Sequence, residues 1–269
     1  MPLLTRSVLY ATPSDLWAQA FPKTIDASDF LPGTMTDPIK VGTGSATLTL
    51  TGFPRDAYSL VIKTVQAGEL GTARVAFSSD GGLTWSPSVK VPQDGVLSVL
   101  TSRTYLSGLT AQFEPGNAPS FAFNDQWTLL TTASQEILDQ LAASCDSFDS
   151  ICCNPGNGGR YHLPLQSWPS RVTRFVVKDA RFELLSARGF DFKGRDKLYL
   201  MERDAEIAWA QRVARYEEHP AIVDSPPADY IPNALIGEDK YGIKAGPRTI
   251  NDYLGRRTYP GTRDPFNDV

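Results

Sequence analysis

The sequence has no long hydrophobic run. No segment approaches the roughly 20 consecutive apolar residues that a membrane-spanning helix requires, so we expect no contact with a membrane. The first nine residues contain one arginine and no sustained apolar stretch, which predicts the absence of a signal peptide. These two absences favour a protein that is made in the cytoplasm of its host cell.

Cysteine and histidine are scarce. The three cysteines are Cys145, Cys152 and Cys153, an odd number, and the adjacent pair cannot readily form an unstrained disulfide with each other. Reduced thiols are therefore expected. His162 and His219 are the only histidines, and their spacing is unlike that of a zinc finger. The sequence predicts no metal site and no cofactor.

Motifs of common catalytic and phosphate-binding sites are also lacking. The glycine-rich segment 154–159 is not followed by the Lys-Ser/Thr pair of a Walker loop. No flanking motif brings a cysteine nucleophile beside a histidine base. A net charge of −4 offers no overall basic surface for neutralising phosphates. We therefore expect no catalytic residue, no enzyme activity and no sequence-specific binding of DNA.

Helical periodicity is present in the C-terminal half of the chain. Apolar residues recur three and four positions apart in segments 132–152, 169–188 and 197–216, which is typical of amphipathic helices. The stripe expected to be buried on the second helix is Val172, Phe175, Val176, Ala180, Leu184 and Ala187. The stripe expected to be buried on the third is Leu198, Met201, Ala205, Ala208, Trp209, Val213 and Tyr216. The short connection between these two helices predicts antiparallel packing.

Two helix starts carry the residues of a capping box, in which a hydroxyl and an acidic or amide side chain three positions later satisfy free backbone N–H groups. Thr12 is expected to cap a short helix that begins at Pro13, with Asp15 bonding back to it. Thr132 and Gln135 have the same spacing before the helix 132–152. These residues predict where both helices begin.

Proline, glycine and aspartate mark the ends of the two later helices. Pro169 suits the first turn of a helix, where its missing N–H has no intrahelical partner to lose. Gly189 can adopt the left-handed conformation that terminates a helix. Asp196 can accept hydrogen bonds from the first turn of the next helix. The chain is therefore expected to turn between 189 and 195.

The helical segments contain three motifs in a fixed order. The sequence GRYHLPL at 159–165 precedes the second helix, ARFELLSARG at 180–189 ends it, and RDAEIAWA lies at 203–210 in the third. In these motifs and their order the chain resembles the head–tail connector (adaptor) proteins of tailed bacteriophages, in particular the Mu-like branch. The resemblance covers residues 8–20 and about 131–225.

The resemblance implies a structural role. It implies a homo-oligomeric ring of twelve subunits in the virion neck, between the portal protein and a tail stopper or tail-completion protein. DNA would pass through the lumen without sequence-specific binding. Each subunit of a closed ring presents two different, complementary faces to its neighbours. Arg160, Tyr161 and Arg188 are predicted to contact neighbouring subunits or the portal, and the alternative for Arg160 is an ion pair with a helix carboxylate of its own subunit.

Residues 30–130 have a different sequence pattern, in which Gly, Pro, Thr and Ser separate short β-prone runs. These runs are 46–51, 58–65, 72–78, 89–91, 95–100, 108–113 and 126–131. They predict a β-sandwich. Because helices precede and follow it, the sandwich is interpreted as an insertion into a helical adaptor domain formed by 1–29 and 131–225. The expected fold class is α+β, with a small antiparallel helical bundle, an inserted β-sandwich and a long extended C-terminal arm.

One turn in the insertion has a recognisable sequence. Residues 78–85, SSDGGLTW, are similar to the Asp box of sialidases, and a single copy is present. Asp80 is expected to bond the turn backbone, Ser78 and Gly82 to complete the turn, and Trp85 to pack beneath it. We interpret these residues as a structural turn rather than a sugar site.

The segment 226–269 is rich in proline and glycine and has no apolar period, so it cannot build a core of its own. It is predicted to be an extended arm that binds a neighbouring subunit or the portal through apolar anchors. The predicted anchors are Tyr230, Ile231, Leu235, Ile236, Tyr241, Ile243, Tyr253, Leu254, Tyr259 and Phe266.

The sequence leaves three hypotheses for function. The first is a structural virion protein, the head-to-tail adaptor ring described above. The second is a glycan- or capsid-binding β-sandwich mounted on a helical base. The third is a sialidase-type enzyme, which requires an arginine cluster and a nucleophilic tyrosine in one pocket; Arg55, Arg74 and Arg103 are the arginines available in the insertion.

Overall fold

The computed structural model describes residues 8–19, 21, 25, 27–101, 106–153, 159–189, 191, 193–194 and 196–225. The chain divides into two units after residue 224, and all described helices and strands belong to the first unit. The ten predicted anchors of the arm, from Tyr230 to Phe266, lie outside the described residues, so the arm stays a prediction. None of the described helices is long and apolar enough to cross a membrane.

Eight strands form two antiparallel sheets. The larger sheet has the order β1-β8-β3-β4-β5 and the smaller has the order β2-β7-β6. The strands are β1 Ile39–Val41, β2 Thr47–Gly52, β3 Ser59–Gln66, β4 Arg74–Ser78, β5 Val89–Lys90, β6 Val96–Leu100, β7 Leu106–Glu114 and β8 Gln126–Leu130. Seven of them were predicted, and β1 was missed.

The two sheets share one hydrophobic core because their strands alternate inward apolar and outward polar residues. Phe113 on β7 packs edge-on against Trp127 on β8, with ring centroids 5.5 Å apart, and this contact joins the two sheets. Leu60 and Ile62 on β3 are fully buried on the same side. This packing is that of a β-sandwich.

Four α-helices and one short 3₁₀ helix, Ala27–Asp29, form the rest of the described fold. The helices are α1 Pro13–Gln19, α2 Gln135–Cys152, α3 Ser170–Ser186 and α4 Lys197–Ala214. They enclose a second core, separate from that of the sandwich. Phe30, placed in the insertion by the sequence, packs in this helical core. The α+β fold class, with antiparallel sheets and a helical bundle, is confirmed.

Contacts between α2, α3 and α4 establish that neighbouring helices are antiparallel. Phe148, late in α2, packs against Phe175, early in α3, with ring centroids 5.3 Å apart. Arg174, early in α3, pairs with Glu206 in the second half of α4 at 2.8 Å, whereas Arg181, late in α3, pairs with Glu202. The bundle therefore has the up-down-up order expected for short connections.

The helix starts differ in part from prediction. The capping box of α1 is confirmed, because Thr12 and Asp15 exchange hydrogen bonds through backbone N–H and side-chain oxygen at 2.9 and 3.2 Å. The second capping box is wrong: α2 is preceded by Ser134, which makes no side-chain capping bond. The Thr132 hydroxyl accepts instead from the backbone N–H of Thr34, at 2.9 Å, and thereby ties α2 to the chain before β1.

Two further predictions about helix ends are corrected, one in the position of the residue and the other in its hydrogen-bond partner. Pro169 is the N-cap of α3 and has extended backbone angles, so it precedes the first turn instead of lying in it. Asp196 precedes α4 but makes no capping bond; its carboxylate accepts from the N–H of Asp191 at 3.1 Å and closes the α3–α4 turn. Gly189 has φ +77°, as predicted for a left-handed helix terminator.

Candidate subunit interface

Helix α4 exposes much of the apolar stripe that its sequence predicted to be buried. The side chains of Leu198 and Met201 are 60% and 58% exposed. Ala205 and Ala208 are exposed on the same face, since successive spacings of three, four and three keep the four residues on one side of a helix. We call these four residues the α4 stripe. Tyr216 and Ala187, the C-cap residue of α3, were also predicted to be buried and are exposed.

The side of α4 that does enter the core is a different one. Trp209, Ala210 and Val213 are at most 1% exposed and pack with α2 and α3. Glu206 lies on this buried side too, although it is charged and only 3% exposed. The apolar residues of α4 thus serve two surfaces, one inside the bundle and one facing outward.

Glu206 is buried because α3 surrounds it with cations. Arg174 Nε lies 2.8 Å from Oε1, Lys178 Nζ lies 3.7 Å from Oε1 and Arg171 Nε lies 3.6 Å from Oε2. The guanidinium of Arg171 also lies over the indole of Trp209, 4.9 Å from its centroid. A buried carboxylate requires such partners, because its desolvation is costly.

The rest of the α3–α4 contact is a ladder of ion pairs and stacked rings. Arg181 bonds Glu202 and stacks on Tyr199, with its guanidinium carbon 4.5 Å from the ring centroid. Burial acts to raise the pKa of Glu202, but the hydrogen bond and charge of Arg181 outweigh burial and lower it. Arg203, reaching back from α4, bonds Asp179 and Glu183, both at 2.8 Å. These pairs fix the register of the two helices.

The electrostatic consequence at the surface is an arginine rim beside the α4 stripe. The side chains of Arg171 and Arg174 are 42% and 46% exposed, whereas the Glu206 side chain that they share is 4% exposed. Arg212, four residues after Ala208, continues the line of the stripe, and its side chain is 42% exposed. Solvent therefore meets the guanidinium groups of Arg171 and Arg174 and not the Glu206 carboxylate beneath them, whereas Glu218, the partner of Arg212, is itself 35% exposed.

The predicted contact residues Arg160 and Tyr161 are held inside the subunit. Arg160 donates to the Glu218 carbonyl oxygen at 2.7 Å, lies 2.7 Å from His219 Nδ1 and stacks on Tyr216. Tyr161 is 6% exposed, so its side chain is not available for a surface contact, and that prediction is corrected. Burial also raises its pKa. The turn before α3 joins the C-terminal end of α4 to the core.

Arg188, the third predicted contact residue, also has partners within the subunit. Its guanidinium carbon lies 4.1 Å from the ring centroid of Phe30, and its Nη2 lies 3.5 Å from a carboxylate oxygen of Glu136. The side chain is 26% exposed. Arg188 thus covers the edge of the helical core, and the structure does not bring it together with Arg160.

The Asp-box turn connects β4 to the segment before β5. Asp80 accepts from the Thr84 N–H at 2.9 Å, from the Thr84 hydroxyl at 2.5 Å and from the Ser78 hydroxyl at 2.6 Å. The Gly82 N–H donates to Ser78 Oγ at 2.8 Å. The hydrogen bonds from Ser78 and Thr84 lower the pKa of Asp80 to about 2. Both carboxylate oxygens are therefore engaged by the turn itself.

Trp85 is only in part as predicted. Its indole lies beside Gly82, but the residue is 37% exposed and does not join the core. Lys63 on β3 places its ammonium 5.8 Å from the ring centroid. Leu83, at the tip of the turn, is 85% exposed. The turn exposes Leu83 and Trp85, and both carboxylate oxygens of its acidic residue accept hydrogen bonds from within the turn.

A cleft of about 750 Å³ lies between α1 and the sandwich. Asp56 on its floor accepts from the backbone N–H and hydroxyl of Ser14, at 3.0 and 2.5 Å. Arg55 stacks over Trp17 at 4.8 Å, and burial raises the pKa of Tyr58 to about 12. These contacts bind α1 to the β2–β3 connection. The polar side chains of the cleft hold the two parts of the unit together.

The cysteines are buried free thiols. Cys152 donates to the Ala210 carbonyl oxygen at 3.4 Å, and burial raises its pKa to about 12. The Cys145 sulfur accepts from the Tyr10 N–H at 3.3 Å. Within the described ranges no group of three His, Cys, Asp or Glu side chains could hold a metal ion.

No family model, no curated protein and no solved structure matches this chain. The α4 stripe and the arginine rim were not identified as a surface by sequence periodicity, because that periodicity placed Leu198 and Met201 in the core. The signal that could have separated them is Glu206: an acidic residue on the inward side implies a cationic partner on the facing helix, and Arg171 and Arg174 have the matching spacing.

Proposed function

We propose that the protein is a structural subunit of a homo-oligomeric ring, and that this ring is the head-to-tail adaptor in the neck of a tailed bacteriophage. Its work is assembly: it joins the portal to a tail stopper or tail-completion protein and lets DNA pass through the lumen. The order of the motifs between 159 and 210 supports the family, and the three-helix bundle gives those motifs a common frame. The predicted arm, 226–269, would add contacts to a neighbour or to the portal.

The observation that carries this proposal is the α4 stripe. A helix of a self-sufficient subunit turns its apolar face toward its own core, whereas α4 keeps Leu198 and Met201 more than half exposed beside the core that the described helices form. Full burial of a Leu or Met side chain is worth about 1.5–3 kcal/mol. Covering what remains exposed on both residues would therefore contribute about 2–4 kcal/mol to each subunit contact.

The experiment measures the mass and symmetry of the full chain, alone and mixed with its portal, by native mass spectrometry and electron microscopy. We expect a closed ring that binds the portal coaxially. Replacing Leu198 and Met201 together by Glu should weaken subunit association roughly 30- to 1,000-fold, because about 2–4 kcal/mol is lost and two negative charges are added. Leu83→Glu is the matched control, since Leu83 is 85% exposed on the sandwich.

A wild-type chain that remains monomeric at high concentration and ignores the portal would contradict the proposal. Equal association by the Leu198/Met201 double variant and by the Leu83 control would remove the observation on which the proposal rests.

The glycan-binding alternative has less support, because Asp80, the acidic residue of the Asp box, directs both carboxylate oxygens into its own turn.

A further inference from the structure

The arginine-rimmed stripe of α4 and the exposed face of α2 are complementary in charge. We propose that the stripe of one subunit packs against the α2 face of the next subunit, a second copy of this chain. This inference rests on the proposed function, because it names the partner of the surface described above.

The α4 side of the contact has guanidinium groups beside an apolar centre, and one exposed carboxylate, Asp204, lies next to Met201 and Ala208 on α4. Leu198 and Met201 supply the apolar side chains, and Arg212 stands at the C-terminal end of the same line. Arg171 and Arg174 lie on α3 beside it, with their shared carboxylate buried. A partner segment that fits this surface carries carboxylates flanking small or apolar residues.

The exposed face of α2 has that composition. Helix α2, Gln135–Cys152, contains no lysine or arginine. Asp139, Ala143, Asp146 and Ser150 are all exposed, and their spacings of four, three and four place them on one side of the helix. Ala143 and Ser150 have small side chains, so another helix can approach this face closely between the two carboxylates.

The geometry of the bundle makes this contact suitable for a ring. Helices α2 and α4 pack inward on a common core, through Phe148 and Trp209, so their outward faces point in different directions. A contact between two different faces is heterologous, and its repetition gives a ring when the rotation from subunit to subunit closes. Pairing of the α4 stripe with itself would be isologous and would stop at a dimer.

Charge reversal in the full chain tests the pairing. Asp139→Lys and Asp146→Lys, each alone, should weaken association at least about tenfold, because a lysine would face the arginine rim. Glu114 is an exposed residue at the end of β7, and Glu114→Lys is the control with the same change in net charge.

On the α4 side, Arg212→Glu should weaken association similarly. We chose Arg212 because its partner Glu218 is on the surface, whereas Arg174 holds the buried Glu206. Circular dichroism checks that each variant is folded.

Mixing provides the decisive measurement. An equimolar mixture of Arg212→Glu with one of the two α2 variants should restore rings. In such a ring each reversed α4 surface meets a reversed α2 face, and each native α4 surface meets a native α2 face. Restored rings support the pairing. The pairing is overturned if the α2 variants associate as strongly as Glu114→Lys, and also if they associate weakly and no mixture restores rings. Both results leave the proposed function intact. A wild-type chain that forms no ring overturns the proposed function itself.

Discussion

Replacing Glu206 by Gln tests whether the buried carboxylate at the α3–α4 contact determines the stability of the bundle. The substitution keeps the shape of the side chain and removes its charge. It leaves Arg174, Arg171 and Lys178 facing one another where each had a carboxylate oxygen at 2.8, 3.6 or 3.7 Å. The perturbation is therefore local and mainly electrostatic.

The magnitude follows from the exposure of the three cations. Losing one partner of a fully buried ion pair costs about 3–5 kcal/mol, and losing a hydrogen bond to a charged group costs about 1.5–3 kcal/mol. Here the side chains of Lys178, Arg171 and Arg174 are 22%, 42% and 46% exposed, so water can solvate them once Glu206 is neutral. We expect the free energy of unfolding to fall by about 2 kcal/mol.

The assays are urea unfolding, which gives the free energy of unfolding, and thermal unfolding, which gives Tm; both are followed by far-ultraviolet circular dichroism, which reports the helices. A loss of about 2 kcal/mol corresponds to a decrease in Tm of about 4–8 °C for a chain of this size. The matched control is Glu183→Gln. Glu183 pairs with Arg203 at 2.8 Å but its side chain is 40% exposed, so we expect a loss of about 0.5 kcal/mol or less. If the free energy of unfolding falls equally in the two variants, burial of Glu206 has no energetic consequence, and the prediction is wrong.

Two further predictions concern groups with shifted pKa values. Because burial raises the pKa of Cys152 to about 12, its thiol is neutral near pH 8, and iodoacetamide should label the cysteines of the native protein far more slowly than those of the urea-unfolded protein; rapid native labelling of Cys152 would contradict this. Hydrogen bonds from Ser78 and Thr84 lower the pKa of Asp80 from 3.8 to about 2, so its contribution to stability is present above about pH 4 and is lost as the pH falls through 2. The difference in Tm between wild type and Asp80→Asn should therefore shrink over that window, and a constant difference would argue against it.

The α4 helix illustrates how far periodicity can be used. Its spacing predicted a helix over 197–216, and the observed bounds are Lys197–Ala214. The same spacing could not distinguish two apolar surfaces, because Leu198 and Trp209 both fit a helical stripe. Only the position of α3 assigns Trp209 to the core and leaves Leu198 at the surface.

The sheet illustrates the same limit for strands. The run Ile39–Val41 is too short for a β pattern, and two of its three residues are exposed. It becomes a strand because β8 offers a partner, with Lys40 opposite Trp127. The inward ammonium of Lys40 then bonds the Ala46 carbonyl oxygen at 2.7 Å and lies over the indole of Trp127. The pairing partner, which is distant in the chain, decides such a strand.

The local features could be predicted from the residues alone: the α+β class, seven of the eight described strands, the α-helices between 13 and 214 and the left-handed stop at Gly189. These follow from side-chain periodicity and backbone preference, which act over a few residues. The tertiary structure alone decided that Tyr161 is buried, that Arg160 and Arg188 bond within the subunit, and that Leu198 and Met201 face outward. Those outcomes depend on which helix lies opposite each side chain, and burial is a property of that arrangement and not of the sequence pattern.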